Sequence, residues 1–465
     1  MSRYKPYPQY KDSGIEWLGQ VPEHWSLSRI KHIATVSNSG SYGEDDFSTL
    51  TPFTRRTCTT AQITIDGRFL LDEMPERFFD ESDIIRYQGE LGDLFVVKSS
   101  GSNTNIISGK LARISDPYVG IIFTNFLMRI RPNIDKVLPS FLECFLGSWI
   151  TRRRIERMVA TTTYPNINVE EYVSAFIVLP PINEQAAIVN YLDRETTRIE
   201  TLIEKKSRFI ELLQEKRQAL LTQAVTKGLD PNANLKDSGV KWLGQVPEHW
   251  TVCHLQYVII NIEQGWSPEC HSYPAEPGQW GILKSGCVNG GVYNNNENKA
   301  LPEELSPKPQ YEVKAGDILM SRASGSPELI GSVALVANTQ DKLMLSDKIF
   351  RIQCAVKMNP AFFVNMLNSS ALRSQIMHAI SGAEGLANNL PQAHIKKFWV
   401  TCPPLSEQQT IVSILDQNIA RIDALITATQ RSMELLKERR AALITAAVTG
   451  QIDLRDSATG EGEIP

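Results

Sequence analysis

The chain has 465 residues, about three times a usual domain, so it can build several cores and is not a disulfide-stapled miniprotein. Charged residues make up 22% and apolar ones 42%; this excludes a disordered polymer, and no apolar run approaches the ~20 residues that span a bilayer. Lys plus Arg is 48 against 52 for Asp plus Glu, a net charge of -4, so any contact with a polyanion must rest on local patches.

The start, Met1-Ser2-Arg3-Tyr4-Lys5-Pro6, lacks the apolar stretch of a signal peptide, and the 7 cysteines fall singly with no C-x-x-C pair. Both features predict a reduced, cytoplasmic protein with no membrane partner. Next comes a short tryptophan-rich framework. Its core, Trp17-Leu18-Gly19-Gln20-Val21-Pro22-Glu23-His24-Trp25, recurs unchanged at residues 242–250, and Lys11-Asp12-Ser13-Gly14 recurs as Lys236-Asp237-Ser238-Gly239. Nine identities in a row mark a duplication. A second repeated piece, Pro180-Pro181-Ile182-Asn183-Glu184-Gln185, returns as Pro403-Pro404-Leu405-Ser406-Glu407-Gln408.

After each Pro-Pro the pattern turns helical. Ile188, Leu192, Ile199, Ile203, Ile210, Leu213, Leu220 and Ala224 follow steps of three and four, with Lys206 and Arg217 interrupting. Ile411, Leu415, Ile422, Ile426, Met433, Leu436, Leu443 and Ala447 match them in the second copy. These are coiled-coil seams that start after proline and fade near Gly228 and Gly450. The cheapest partner for each helix is the other copy, paired antiparallel.

The chain therefore divides into a framework and first variable domain (1–180), a first long helix (181–228), a repeated framework and second variable domain (229–402), a second long helix (403–450) and a tail (451–465). Because the chain opens with the element that also follows the first helix, the halves can close into a cyclic, pseudo-twofold arrangement. The expected fold class is α+β: two α+β domains related by pseudo-twofold symmetry and separated by two long antiparallel coiled-coil helices.

Within the variable regions, runs such as residues 123–130 and Ile282-Leu283 read as strands. Gly92-Asp93-Leu94 followed by Ser99-Ser100-Gly101-Ser102 aligns with Gly316-Asp317-Ile318 followed by Ala323-Ser324-Gly325-Ser326. Basic and acidic residues number 17 against 18 in region 26–180 and 12 against 12 in region 251–402, so phosphate-binding charge must be concentrated. The candidates are Arg55, Arg56, Lys98, the run Arg152, Arg153, Arg154 with Arg157, then Lys284, Arg322, Lys396 and Lys397. The polar turns add Ser99, Ser102, Asn103 and Asn105 in the first region, and Ser324 and Ser326 in the second, as side chains able to meet base edges. A charge run is also the ordinary solvated face of a helix, and a polar turn the ordinary end of a hairpin. Trp17, Trp25, Trp242 and Trp250 occur twice over and can serve two copies of one partner, or pin each domain to its helix.

Catalytic patterns are missing. Asn359-Pro360-Ala361-Phe362 lacks the second proline of the loop that holds a flipped base, and reads as a helix cap. Gly109-Lys110 is followed by Leu111 where a phosphate loop needs Ser or Thr. His24 and His249 sit in the repeated framework, which points to packing. Cys253-His254 and Cys270-His271 match no zinc spacing. No catalytic residue and no metal site is assigned.

Taken together, the frameworks at Trp17 and Trp242, the Pro-Pro-x-x-Glu-Gln starts at Pro180 and Pro403, the Gly-Asp-Ile-Leu strand at Gly316 and the Gln-Gly-Trp-Ser-Pro turn at Gln264 resemble the specificity subunit of type I restriction-modification systems. The resemblance covers essentially the whole chain, although residues 36–43 lack a Gly-x-Ser-Pro counterpart. It implies a non-catalytic DNA-binding protein with two target recognition domains, 26–180 and 251–402, that reads a bipartite asymmetric site in double-stranded DNA, with Trp266 on the reading surface. It further implies recruitment of two modification (methyltransferase) subunits that carry S-adenosylmethionine and methylate adenine, and of restriction/translocase subunits that use ATP and Mg2+. None of these cofactors is expected in this chain. The rival readings are a stand-alone enzyme with an unfamiliar site, a coiled-coil scaffold without DNA readout, and the specificity module of a methylation-only system.

Overall fold

The duplicated framework folds the same way twice. In the computed structural model, which describes residues 5–45, 53–99, 107–148, 151, 166–380 and 388–455, Tyr10–Asp12 pairs antiparallel with Gln20–Pro22, and Leu235–Asp237 with Gln245–Pro247. Local side chains shape the loop between them. Asp12 Oδ1 accepts the Gly14 amide at 2.9 Å and Asp237 Oδ1 that of Gly239 at 3.0 Å, while both glycines take a left-handed φ of +68° and +70° that strains any residue with a Cβ.

The chain divides into two units, residues 1–206 with 431–465 and residues 207–430. In the first, a four-stranded antiparallel sheet has the order Ala34–Ser37, Leu127–Pro132, Leu94–Val97, Leu111–Arg113. The second repeats it with Ile259–Gln264, Ile349–Cys354, Ile318–Ser321 and Val333–Leu335. A smaller sheet follows in each. Phe53–Cys58 runs antiparallel to Glu76–Phe79 and parallel to Ile122–Phe123; Gly281–Leu283 is likewise antiparallel to Asn298–Ala300 and parallel to Leu343–Met344. The expected strand over 123–130 is therefore two strands in two sheets, broken at residues 124–126, where the chain passes from one sheet to the other.

The inner strands explain the layering. Leu94–Val97 and Ile318–Ser321 are buried on both faces, as suits an unbroken apolar run. Leu94 and Val96 enter one core and Phe95 and Val97 another, just as Ile318 and Met320 part from Leu319. Each inner strand begins at a Gly-Asp turn. Gly92 and Gly316 have φ of +88° and +94°, and the aspartate accepts the amide three residues back, Asp93 from Glu90 at 2.8 Å and Asp317 from Lys314 at 2.9 Å. Asp93 is 1% exposed and is held by a two-pronged Arg131 at 2.8 Å on each oxygen, the geometry a buried carboxylate needs.

Helices Pro139–Gly147 and Pro360–Leu367 cover one face of the main sheets. Asn359 caps the second, its Oδ1 accepting from Ala361 and Phe362 at 3.0 Å. The long helices run Ile182–Lys227 (46 residues) and Leu405–Val448 (44 residues), rods of roughly 65 to 70 Å. All sixteen seam residues named above are buried or half-buried. In the first unit Ile188 and Leu192 share a core with Leu443 and Ala447, and farther along Glu200 meets Arg440 at 2.9 Å. In the second, Leu221 and Ala224 share a core with Ile411 and Leu415, and Arg217 meets Asp423 at 3.4 Å. Within each unit one helix number rises as the other falls, so the helices are antiparallel. They stop at Gly228 and Gly450, both at left-handed φ (+74° and +76°), the usual helix-ending conformation.

Candidate nucleic-acid interface

In the second unit, four segments converge at the end of the main sheet: residues 264–267, 321–324, 346–348 and 388–390. The Trp266 amide donates to Leu345 O at 3.0 Å and the Leu390 amide to Arg322 O at 2.9 Å, and Ala323 lies opposite Asn389. Gly265 is obligatory, because a Cβ there would lie 2.1 Å from Leu345 O. Asp347 organises the loops: its carbonyl accepts Gln264 Nε2 at 3.2 Å and Arg322 Nη1 at 3.1 Å, while its carboxylate takes Ser267 Oγ and Lys348 Nζ. Burial alone would raise the Asp347 pKa, but the bonds from Ser267 and Lys348 outweigh it and hold the group below the usual carboxylate range. Trp266 is half-buried against Ile282, Leu301 and Met344, with Lys308 Nζ 4.2 Å above its ring.

The first unit builds the same end with different side chains. The Ser41 amide donates to Phe123 O at 3.0 Å and the Lys98 amide to Phe126 O at 3.0 Å, so Ser41 stands where Trp266 does and Lys98 where Arg322 does. Ser99 bridges to Asn166. Gly40 occupies the place of Gly265, since its Cβ would also fall 2.1 Å from a carbonyl, Phe123 O. This corrects the expectation that residues 36–43 hold no counterpart of the glycine turn. Lys98 is partly buried, bonds through Nζ to Asn38 O, and has its pKa lowered by that burial.

Lys98 and Ser99 thus come together in one unit, and Trp266, Arg322, Ser324 and Ser326 share the corresponding end in the other. Three groups of expected contacts do not join them. Arg55 and Arg56 lie on Phe53–Cys58, the middle strand of the smaller sheet, where Arg55 donates to Thr54 O at 2.9 Å and Arg56 to Leu71 O at 3.1 Å. Lys284 follows the small-sheet strand Gly281–Leu283, its amide bonded to Glu297 O at 2.8 Å. Lys396 is exposed at the opposite end of the main sheet, its carbonyl accepting from Gln256 at 3.1 Å. Ser102, Asn103, Asn105, Arg152, Arg153 and Arg154, with Arg157, lie outside the described residues.

A family model described as the type I restriction modification DNA specificity domain matches residues 278–435. The EcoEI specificity subunit of Escherichia coli is 29% identical over 53% of this chain and 41% of its own length; the EcoKI specificity subunit of E. coli K12 is 23% identical over 93% of this chain and 90% of its own. Among solved structures, a chain from a type I R-M system superposes at a TM-score of 0.69 with 17% identity, covering 93% of this chain and 99% of that one. The HsdS subunit from Thermoanaerobacter tengcongensis superposes at 0.50 with 17% identity, covering 93% and 98%. The match runs through both units and both long helices. The chain is thus similar to type I specificity subunits over most of its length, and residues 278–435 match their DNA specificity domain.

The repeated framework has a clear structural part. Glu184, in the first turn of the long helix, accepts from Trp25 Nε1 at 3.1 Å, contacts His24 Nε2 at 2.8 Å, and receives the Tyr7 hydroxyl. Glu407 does the same for Trp250 at 3.1 Å and His249 at 2.9 Å. The next residue stitches the helix to the domain: Gln185 Oε1 accepts from Leu138 and its Nε2 donates to Pro180 O, as Gln408 does with Asn359 and Pro403 O. Trp25 and Trp250 are 0% and 1% exposed, so these two indoles face the core and offer no ring to a partner, which corrects their expected role as docking residues. Trp17 and Trp242 are half-buried; Trp242 packs beside His378 with ring centres 4.6 Å apart. Leu202 and Leu212 on one helix, and Leu425 and Leu435 at the matching positions of the other, are exposed off the seam. Among the described residues no helix is long and apolar enough to cross a membrane, and no cluster of three or more His, Cys, Asp or Glu suits a metal.

Proposed function

We propose that this chain is the sequence-reading subunit of a type I restriction-modification complex. Each unit binds one half of a bipartite, asymmetric site in double-stranded DNA, and the chain recruits two copies of a modification subunit. The observation that carries this reading is the contrast between frame and face. The two units share strand order, Gly-Asp turn, obligatory glycine and framework, yet the side chains at the sheet end differ: Lys98, Asn125 and Phe126 in one, Arg322, Asp347 and Lys348 in the other. Equal frames with unequal faces suit two different half-sites, because groove readout depends on which side chains reach the base edges.

The partners supply what this chain does not. S-adenosylmethionine for adenine methylation belongs to the modification subunits; ATP and Mg2+ belong to restriction/translocase subunits that complete a restricting complex in the cytoplasm. This chain performs no chemistry of its own. The exposed leucines at 202, 212, 425 and 435, with Trp17 and Trp242, provide the same docking surface twice, as two copies of one partner require. The test uses the assembled complex. Lys98→Ala should relax selectivity in one half-site and Arg322→Ala in the other, each by roughly tenfold; a single variant that disturbs both half-sites, or two that disturb neither, contradicts the reading.

A further inference from the structure

Two aromatic rings stand at the sheet end of the first unit with no counterpart in the second. Tyr42 and Phe126 are 43% and 50% exposed and meet edge to face with centroids 6.2 Å apart. Single exposed apolar residues are ordinary, but a touching pair in solvent gives up burial that either ring could gain.

The backbone around the pair is tied down on every side. Ser41 donates through its amide to Phe123 O and through Oγ to Asp83 Oδ2 at 2.6 Å. Glu44 and Phe78 exchange both backbone bonds, at 3.0 and 3.1 Å. Gly43 follows Tyr42 at φ +63°, where a Cβ would strike Phe79 at 2.6 Å. Phe126 sits in a turn closed by Leu127 N to Thr124 O at 2.9 Å and by Lys98 N to its own carbonyl. The rings are presented by rigid backbone, which is how a contact residue avoids the entropy of ordering on binding.

Their neighbours match DNA. The Lys98 amide donates to Phe126 O and its Nζ to Asn38 O, and exposed Asn125, whose Oδ1 accepts from Gly40 at 2.9 Å, precedes Phe126. The hydroxyl of Tyr42 makes no hydrogen bond among the described residues. By the backbone correspondence, Ser267 and Lys348 occupy the places of Tyr42 and Phe126 in the second unit, and both are spent on Asp347. The edges of unmodified base pairs in the major groove offer one apolar group, the C5-methyl of thymine.

Resting on the reading above, we propose that Tyr42 and Phe126 form an apolar clamp on a thymine methyl in the half-site bound by the first unit, and that the second half-site is read without such a contact. The clamp is a specificity device, so removing it should alter one half-site and spare the other.

The experiment uses the complex assembled with its modification subunits and duplexes carrying its target. Replacing a thymine by uracil deletes only the methyl. At one thymine of one half-site this should slow methylation about fourfold, the worth of one buried methyl. Tyr42→Ala with Phe126→Ala should slow methylation of the normal target about tenfold and abolish the uracil effect at that position, while Phe126→Leu, which stays apolar, keeps part of it; equal thermal melting of the variants confirms that they fold. The clamp is overturned if the affected half-site contains no thymine, if the double variant leaves the uracil effect intact, or if it alters both half-sites equally. Failure of the underlying reading looks different: the unaltered complex would then methylate no gapped target at all.

Discussion

Glu184 and Glu407 hold equivalent tryptophans in unequal surroundings, and the difference predicts unequal stability effects. Glu184 has a side chain 5% exposed and gathers Trp25, His24 and Tyr7; Glu407 is 30% exposed, and its histidine, His249, is 56% exposed. Tyr7 belongs to the first unit alone, and burial together with its bond to Glu184 holds its pKa well above the usual phenol range. Hydrogen bonds to a charged acceptor contribute about 1.5–3 kcal/mol each, and a buried donor left unpaired costs the larger part of that range. Glu184→Ala strands the Trp25 indole N–H in a fully buried position and removes two further partners. Allowing for non-additivity, the first unit should lose about 3–5 kcal/mol. Glu407→Ala also frees the Trp250 indole N–H, but at this partly exposed site water can reach that N–H as well as His249, so about 1–2 kcal/mol is expected. Because the chain has two units, a single unfolding midpoint would blur them. Amide hydrogen exchange in Ser26–Arg29 and Thr251–His254, the framework strands paired with Phe176–Leu179 and Trp399–Cys402, reads each unit separately. Glu184→Ala should speed exchange in the first strand by a hundredfold or more, and Glu407→Ala in the second by roughly tenfold. Glu184→Gln, which keeps an oxygen acceptor, should fall between wild type and Glu184→Ala. Equal losses, or a larger loss from Glu407→Ala, would refute the reasoning.

Removing seven residues from each long helix, around Lys206 and Thr429, keeps the seam in phase and shortens each rod by about 10 Å; the unread spacer between half-sites should contract by about three base pairs with both half-sites unchanged, and altered bases within a half-site would count against it. The Asp453 amide donates to Lys5 O at 2.8 Å, so residues 5 and 453 meet within the first unit. A permuted chain that joins residue 455 to residue 5 through a short linker and opens at the exposed turn near Pro231 should keep its helical circular dichroism and its target motif; loss of either argues against the cyclic frame. The Asp347 carboxyl is held below its unfolded value, so its contribution is complete above the normal carboxylate range and is lost as pH falls through the folded value. The gap in melting temperature between wild type and Asp347→Asn should shrink from pH 6 towards pH 3, and a gap independent of pH would show that Asp347 does not titrate as described.

The long helices were legible because apolar residues recurring every three and four positions over more than forty residues place one continuous stripe on a helix and on no other regular element, and the duplication supplied a second copy against which to read the first. The pairing of Lys98 with Arg322 was legible through the Gly-Asp turn that precedes both. Other features depend on partners distant in sequence. Gly40 looks like any serine-flanked glycine until Phe123 O is seen beside it. Trp25 and Trp250 are repeated whether they pack or dock, and only burial against Glu184 and Glu407 separates the two. The break at residues 124–126 escapes a propensity argument because both flanking runs favour strand; the sheet to which each belongs is a matter of tertiary pairing. Tyr42 and Phe126 carry no motif, and their pairing appears only once two loops meet at the sheet end.

The central claim is that this chain chooses the DNA sequence for a complex whose chemistry lies in other subunits. The most direct measurement is genome-wide adenine methylation in cells that hold this chain together with its modification subunit, compared with cells that hold the modification subunit alone. One gapped, asymmetric motif should appear only when this chain is present. The same methylation with and without it, or no gapped motif despite an assembled and active complex, would contradict the claim.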